Sequence, residues 1–331
     1  MRVVTFKKQA SGSRIGLVHG EKIADLRATF EKFLCEEKGI PAERAKDAAI
    51  QQVPDSMLDL ISREDEGVAC IEQANKFLIK SDTKGKSLEY SAGGEKILYE
   101  KDKVQVLKPL QVFRALNVGA NYNAYLAMMK IVEPFEGTVE TFWKLPQTVI
   151  GPGERIIWPV SSEQVSCEME LGVIIGKKTK RVSKDEALDC VFGYTVVNDV
   201  TAIDLIKRGL GPGREGLPGF FYLCLAKSFD TFESIGPVIT LKDEIPDPQN
   251  LNAEYRINGE LKVKGNTSDM RLNVAEIIEF ISQDITLYPG DLIATGAMAT
   301  EKYAPQVNVQ IGDKIEMEID KIGVLGNHIS G

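Results

Sequence analysis

Val165-Ser-Cys-Glu-Met-Glu-Leu-Gly-Val-Ile-Ile-Gly176 constrains the chain more than any other stretch. Leu171, Val173, Ile174 and Ile175 form an apolar run of the kind found in a strand covered on both faces. Successive side chains of an extended backbone point to opposite faces, so Glu168 and Glu170 leave the strand on one side and Met169 and Leu171 on the other. Carboxylates held against such a core are costly unless they are paired or bind a cation. A third carboxylate, Asp199, ends a second apolar, β-branched run that starts at Phe192, and it is the natural residue to complete a site. Spacing alone leaves another reading open, in which Glu168 and Glu170 line the solvent face of an edge strand.

Length and composition narrow what such a site serves. A chain of 331 residues buries a large core as two domains or as one domain with an appendage. No apolar run reaches membrane-spanning length, and Met1-Arg-Val-Val-Thr-Phe-Lys-Lys lacks the apolar segment of a signal peptide, so a cytoplasmic protein is expected. A net charge of −8 argues against nucleic acid or an anionic membrane as partner. The one dense basic run, Lys177 to Arg181, reads as a solvated turn. Five cysteines, none spaced as CxxC, form neither a disulfide framework nor a zinc site. Cys167 faces away from Glu168 and reads as a small buried hydrophobe. The two histidines, His19 and His328, lie near opposite ends of the chain.

In chain order, β-like runs over Arg2–Phe6, Arg14–Val18 and Lys22–Leu26 predict a small meander, followed by helices at Arg27–Glu37, Pro41–Gln51, Pro54–Ser62 and Gly67–Lys80. Residues 1–103 are therefore expected to form a small N-terminal α+β domain, with residues 104–331 as the catalytic unit. Within the latter, helices are expected at Asn123–Lys130, Thr201–Gly209 and Val274–Gln283. Asn258-Gly259 between Leu251–Ile257 and Leu261–Val263 is the strongest hairpin signal in the chain. The glycine-rich stretch from Gly209 to Gly219 reads as a loop beside the site, either a lid or a tight backbone wrap.

Three carboxylates with no histidine or cysteine nearby make an all-oxygen donor set, suited to Mg²⁺, Mn²⁺ or Ca²⁺. Asn121-Tyr122, Cys167 to Gly176, Gly193 to Asp199, Lys227-Ser-Phe-Asp-Thr231, Gly236-Pro237, Asn258-Gly-Glu260, Pro289-Gly-Asp291 and Thr295-Gly296 together resemble the fumarylacetoacetate hydrolase family, in the family's order, over residues 105–330. The resemblance implies an α+β fold whose catalytic part is a mixed β-sandwich roll, usually a homodimer. It also implies Glu168, Glu170 and Asp199 as Mg²⁺ ligands and Lys227 as the lysine beside the metal. Asn121, Tyr122, Lys144, Thr295 and Gly296 become the residues expected to contact substrate. Family substrates are small 2-oxo or β-diketo acids, whose adjoining carboxylate and keto oxygens chelate one cation. Without the resemblance, Lys227 in Ala226-Lys-Ser reads more readily as a surface lysine.

The chain departs from its family where water would be activated. The histidine after Asn-Tyr and the glutamate three residues on are replaced by Tyr125 and Met128, an arginine after the Asp199 motif by Ile203, and Thr-Gly-Thr-Pro by Thr295-Gly-Ala-Met298. Three functions follow: a metal-dependent hydrolase cleaving a C–C bond of an acylpyruvate-type acid; a lyase, decarboxylase or dehydratase, relying on the metal with Lys227 or Tyr125; or a non-catalytic binding paralogue. Arg214, in the glycine-rich loop, is a candidate carboxylate clamp in place of the missing arginine, or a surface charge paired with Glu215.

Overall fold

The computed structural model describes residues 1–8, 12–129, 138–209, 220–299 and 307–331. The N-terminal meander forms as the alternating pattern requires: β1 (Arg2–Lys7), β2 (Ser13–His19) and β3 (Lys22–Asp25) pair antiparallel in sequence. Asp25 closes the meander and caps α1 (Leu26–Lys38), its side chain accepting from the Ala28 N–H, and Gly39 stops that helix in the left-handed region at φ 67°. The helical layer continues with α2 (Ala42–Gln52), α3 (Met57–Ile61) and α4 (Asp65–Thr83).

Short elements lead to the site: β4 (Leu98–Glu100), β5 (Gln105–Val106), β6 (Ala115–Val118), α5 (Asn123–Met129), β7 (Thr141–Lys144), β8 (Val149–Ile150) and β9 (Arg155–Ile157). The two long strands follow, β10 (Val165–Ile175) and β11 (Val191–Ala202), with α6 (Lys184–Ala187) between them, and every residue of both strands is buried. After α7 (Ile203–Gly209), α8 (Phe220–Ala226) and β12 (Glu233–Leu241) come β13 (Asn252–Ile257) and β14 (Glu260–Asn266). They are joined by Asn258 at φ 52° and Gly259 at φ 81°, the positive pair that a type I′ hairpin needs. The chain ends with α9 (Val274–Asp284), β15 (Leu292–Ala294), β16 (Val307–Asn308), β17 (Lys314–Ile319) and β18 (Gly323–Ser330).

Among the described residues the strands form two mixed sheets. The larger runs β4, β3, β2, β1, β12, β11, β10, β15, β6, β7, with β5, β8 and β16 attached at β1, β12 and β10; the smaller runs β14, β13, β17, β18, β9. Parallel pairs occur at β6 with β15, β8 with β12 and β9 with β18. One face of the large sheet packs on the small sheet through Val196, Val200 and Val238 against Tyr255, Met317 and Leu325. The opposite face packs on the N-terminal helices, Ile174, Val197 and Ile235 meeting a core that includes Leu26, Phe30 and Leu60. The two chain segments thus share a sheet, joined where Arg2 and Val3 of β1 lie opposite Thr240 and Ile239 of β12.

One expected boundary moves. The helix read from Thr201 starts at Ile203, because β11 runs on to Ala202. Phe220–Ala226 is helical although its nearly unbroken apolar composition offers no helical period to read. Among the described residues, no helix is long and apolar enough to cross a membrane.

Candidate functional site

The pleat of β10 sends Glu168 and Glu170 to the face that, farther along the strand, packs on the N-terminal helices. Antiparallel register then places Asp199 of β11 directly opposite Glu168, so its side chain leaves on the same face. One oxygen from each of the three carboxylates lies within 4.8 Å of the others, and all three residues are buried. The solvent-facing reading of the two glutamates is therefore wrong: β10 has neighbours on both edges and covered faces.

Lys227, one residue beyond α8, closes the cluster. Its ammonium donates to Glu168 Oε2 at 2.9 Å and to Asp199 Oδ2 at 2.7 Å, and lies 5.3 Å from the centre of the Phe142 ring. The surface-lysine reading fails with it, since Lys227 is only 5% exposed. Glu170 is aimed by the Gly296 N–H, which donates to its Oε2 at 2.8 Å. Gly296 has φ 101°, and a Cβ there would lie 3.0 Å from that of Asn121, so the residue that aims Glu170 is restricted to glycine by both conformation and space.

Burial opposes the charge on Asp199, but the Lys144 and Lys227 ammonium groups outweigh it and hold this carboxyl below the usual aspartate range. Glu170 goes the other way: burial first, then the Asp199 and Glu168 charges, push it well above an ordinary glutamate. Burial disfavours a charged Lys227, yet Asp199 and Glu168 make it hold its proton more tightly than a free lysine. Tyr125, on α5, is pushed up to about 12 by burial and by Glu168. Its phenol therefore keeps its proton at neutral pH, contrary to a role as resting base.

The residues expected to meet substrate divide. Tyr125 lies within electrostatic range of Glu168 and Lys227, and its neighbour in the motif, Met128, is half-buried on the same helix. Tyr122 is fully buried. Asn121 spends its amide on the scaffold, donating to Leu272 O at 3.0 Å and Thr295 O at 2.9 Å while accepting from the Leu272 N–H. Thr295 likewise donates its hydroxyl to Leu171 O at 3.0 Å. The Lys144 side chain is wholly buried behind Asp199, 2.6 Å from Asp199 Oδ1, and donates to Phe232 O at 2.7 Å. Its partners in the structure are Asp199, Glu233 and backbone carbonyls. Arg214 lies outside the described residues.

Sequence reasoning passed over Glu233, Asn117 and Thr201. Glu233 stands opposite Asp199 in the β11–β12 register, so Glu168, Asp199 and Glu233 form a row across three strands. Lys144 lies 3.4 Å from its Oε2, and Asn117 donates to the same atom at 3.3 Å. Burial and the Asp199 charge, opposed by Lys144, push the Glu233 carboxyl up to about 7. The signal existed, because Glu233 opens the apolar run Glu233–Leu241 much as Asp199 ends its own. Thr201 donates to Glu168 Oε1 at 3.4 Å. Neither histidine touches the cluster: His19 meets Asp82, and His328 is exposed on β18. Cys167 is buried on the far face, its thiol pushed up to about 12 by burial.

Three converging oxygen donors, without nitrogen or sulfur, fit a hard divalent cation. Comparison with known proteins points the same way. Residues 114–330 match the family model described as "Fumarylacetoacetate (FAA) hydrolase C-terminal". Oxaloacetate tautomerase YisK of Bacillus subtilis is 34% identical over 319 residues, 95% of this chain and 94% of its own. The human mitochondrial oxaloacetate tautomerase FAHD2A is 36% identical over 214 residues, 64% of this chain and 65% of its own. Among solved structures, a fumarylacetoacetate hydrolase from Exiguobacterium antarcticum has a TM-score of 0.71 at 28% identity, covering 100% of this chain and 99% of that one. A maleylpyruvate hydrolase from Sphingobium sp. SYK-6, in complex with manganese (II) ion and pyruvate, has a TM-score of 0.67 at 25% identity with the same coverage.

Proposed function

The chain belongs to the fumarylacetoacetate hydrolase family, and from that premise we propose that it is a divalent-metal-dependent tautomerase of a small 2-oxo diacid of the oxaloacetate type. Glu168, Glu170 and Asp199 would hold Mg²⁺ or Mn²⁺. When bound, the cation supplies Lewis-acid stabilisation of an enolate oxygen. Tautomerisation moves one proton between the carbon next to the keto group and the keto oxygen, with no bond to water formed and no carbon bond broken. Lys227 holds a positive charge beside the place where negative charge develops, and keeps it because two carboxylates bind its proton. Tyr125, protonated, would donate a hydrogen bond on the same side.

The observation that carries this reading over hydrolysis is the pair of side chains on α5, a half-buried tyrosine, Tyr125, and a methionine, Met128. Hydrolysis requires a base to activate water, and Tyr125 and Met128 stand where the family resemblance calls for that base. The similarity to a maleylpyruvate hydrolase keeps C–C hydrolysis as the second reading. No observation favours decarboxylation or dehydration over these two, and the clustering of buried acids with Lys227 argues against a purely non-catalytic role.

The test is to add freshly dissolved enol oxaloacetate to the protein and follow loss of its ultraviolet absorbance, with Mg²⁺ and after chelation. Accelerated ketonisation that needs the metal is expected, with no pyruvate or CO₂ above background. Glu168→Ala and Lys227→Met should each lose at least about a hundredfold in rate, and Tyr125→Phe about tenfold, near the cost of one hydrogen bond to a charged group. Unchanged relaxation of oxaloacetate together with cleavage of an acylpyruvate would replace the tautomerase reading by the hydrolase one.

A further inference from the structure

Asp199 is flanked by ammonium groups on both sides, Lys227 at Oδ2 and Lys144 at Oδ1. Lys227 is tied in turn to Glu168, whereas Lys144 lies behind the cluster, 0% exposed, between Asp199 and Glu233. Glu233 is itself 0% exposed, and its Oε2 faces Lys144 and Asn117. Four buried carboxylates, Glu168, Glu170, Asp199 and Glu233, thus share two buried ammonium groups, Lys144 and Lys227. In a medium of low dielectric such charges act together, and with all four acids ionised the cluster falls short of neutrality by the charge of one divalent cation.

We propose that Glu233 is a positioning residue for the metal: it shares Lys144 with Asp199 and supplies the fourth carboxylate that lets the buried cluster accept a divalent cation without touching it. If Glu233 lacked its charge, Lys144 would be left to Asp199 alone. Asp199 would then be a weaker ligand, and a bound divalent cation would leave the cluster with excess positive charge. The counterpart follows from the same balance. Removing Lys144 and the Glu233 charge together restores the original difference between carboxylates and ammonium groups, so the double variant should bind metal better than Glu233→Gln alone. This inference rests on the reading of Glu168, Glu170 and Asp199 as metal ligands.

Calorimetric titration of chelator-stripped full-length protein with Mn²⁺ at pH 8 tests it without reference to turnover. Glu233→Gln should raise the dissociation constant at least tenfold. Glu233→Asp, which keeps the charge, and the Lys144→Met/Glu233→Gln double variant should each stay within about threefold of the parent. Far-ultraviolet circular dichroism identifies any variant that does not fold. Should Glu233→Gln not fold, binding weakened tenfold or more in either of the other two would overturn the inference. So would a folded Glu233→Gln that binds Mn²⁺ as tightly as the parent. A parent protein that binds no Mn²⁺ would instead overturn the metal reading itself.

Discussion

At the scale of single residues, the site is a set of opposed shifts produced by one burial. Glu170 and Glu233 are pushed up, Asp199 is held down, and the difference is decided by where two lysines sit. The raised pair has a consequence for stability. A carboxyl whose folded pKa exceeds its unfolded one stabilises the fold fully below the unfolded value and loses that contribution as pH rises through the folded value. For Glu233 the window runs from an ordinary glutamate value of about 4.3 to about 7, and Glu170 acts with the same sign. Asp199 works in the opposite sense, and only below the usual aspartate range. Metal-free protein is therefore expected to melt at progressively lower temperature as pH is raised from about 5 to about 8, with Mg²⁺ reducing the decline. Thermal melts in chelator and in Mg²⁺ across that range are the check, and a flat or rising melting temperature without metal would refute the assignment.

At the scale of elements, the cluster depends on the close pairing of β10, β11 and β12, and glycines permit it. A Cβ at Gly193 would lie 2.3 Å from Thr240 O and 2.8 Å from Ile239 Cγ2, backbone and side chain of the adjacent strand. Because the carbonyl is part of the β11–β12 ladder, it has little freedom to retreat. Gly193→Ala should cost about 1–3 kcal/mol, the usual range for overpacking a core. Denaturant unfolding measures this directly, and a loss below about 0.5 kcal/mol would mean the strands separate more easily than their burial indicates. The same variant should weaken Mn²⁺ binding, since Asp199 and Glu233 are carried by the two strands it forces apart.

At the scale of the whole molecule, the N-terminal segment and the catalytic segment were expected as units divided near residue 103, yet they share a sheet and a core. Ile174, Val197, Ile235 and Ile239, all buried, belong to the same apolar cluster as Leu26, Phe30, Leu60 and Ile71 of the helical layer. Val197 and Ile235 are each two residues from an acid of the cluster along their strands. A chain reduced to residues 104–331 would expose that face, and it is expected to be insoluble or to unfold without cooperativity. Expression of the truncated chain, followed by size-exclusion chromatography and calorimetry, decides the point. A soluble fragment melting within a few degrees of the full chain would show that the helical layer is dispensable.

Several of these features were legible from residues alone. The alternation of Glu168 and Glu170 against Met169 and Leu171, the apolar runs through Ile175 and Val197, and the Asn258-Gly259 hairpin are properties of backbone periodicity and local turn chemistry, which a few neighbouring residues decide. The ion pairs of Lys144 went unread and Glu233 was passed over for the converse reason. Nothing near either residue in sequence says that β7 and β12 will bring them behind Asp199. Strand register, which sets Glu168 opposite Asp199 and Asp199 opposite Glu233, is chosen by whichever pairing buries all the apolar side chains of distant segments at once. The sequence by itself determined which residues could bear charge on one face of a strand. Only the tertiary structure decided which lysine answers which carboxylate, because that depends on contacts between segments up to 89 residues apart, such as Lys144 and Glu233.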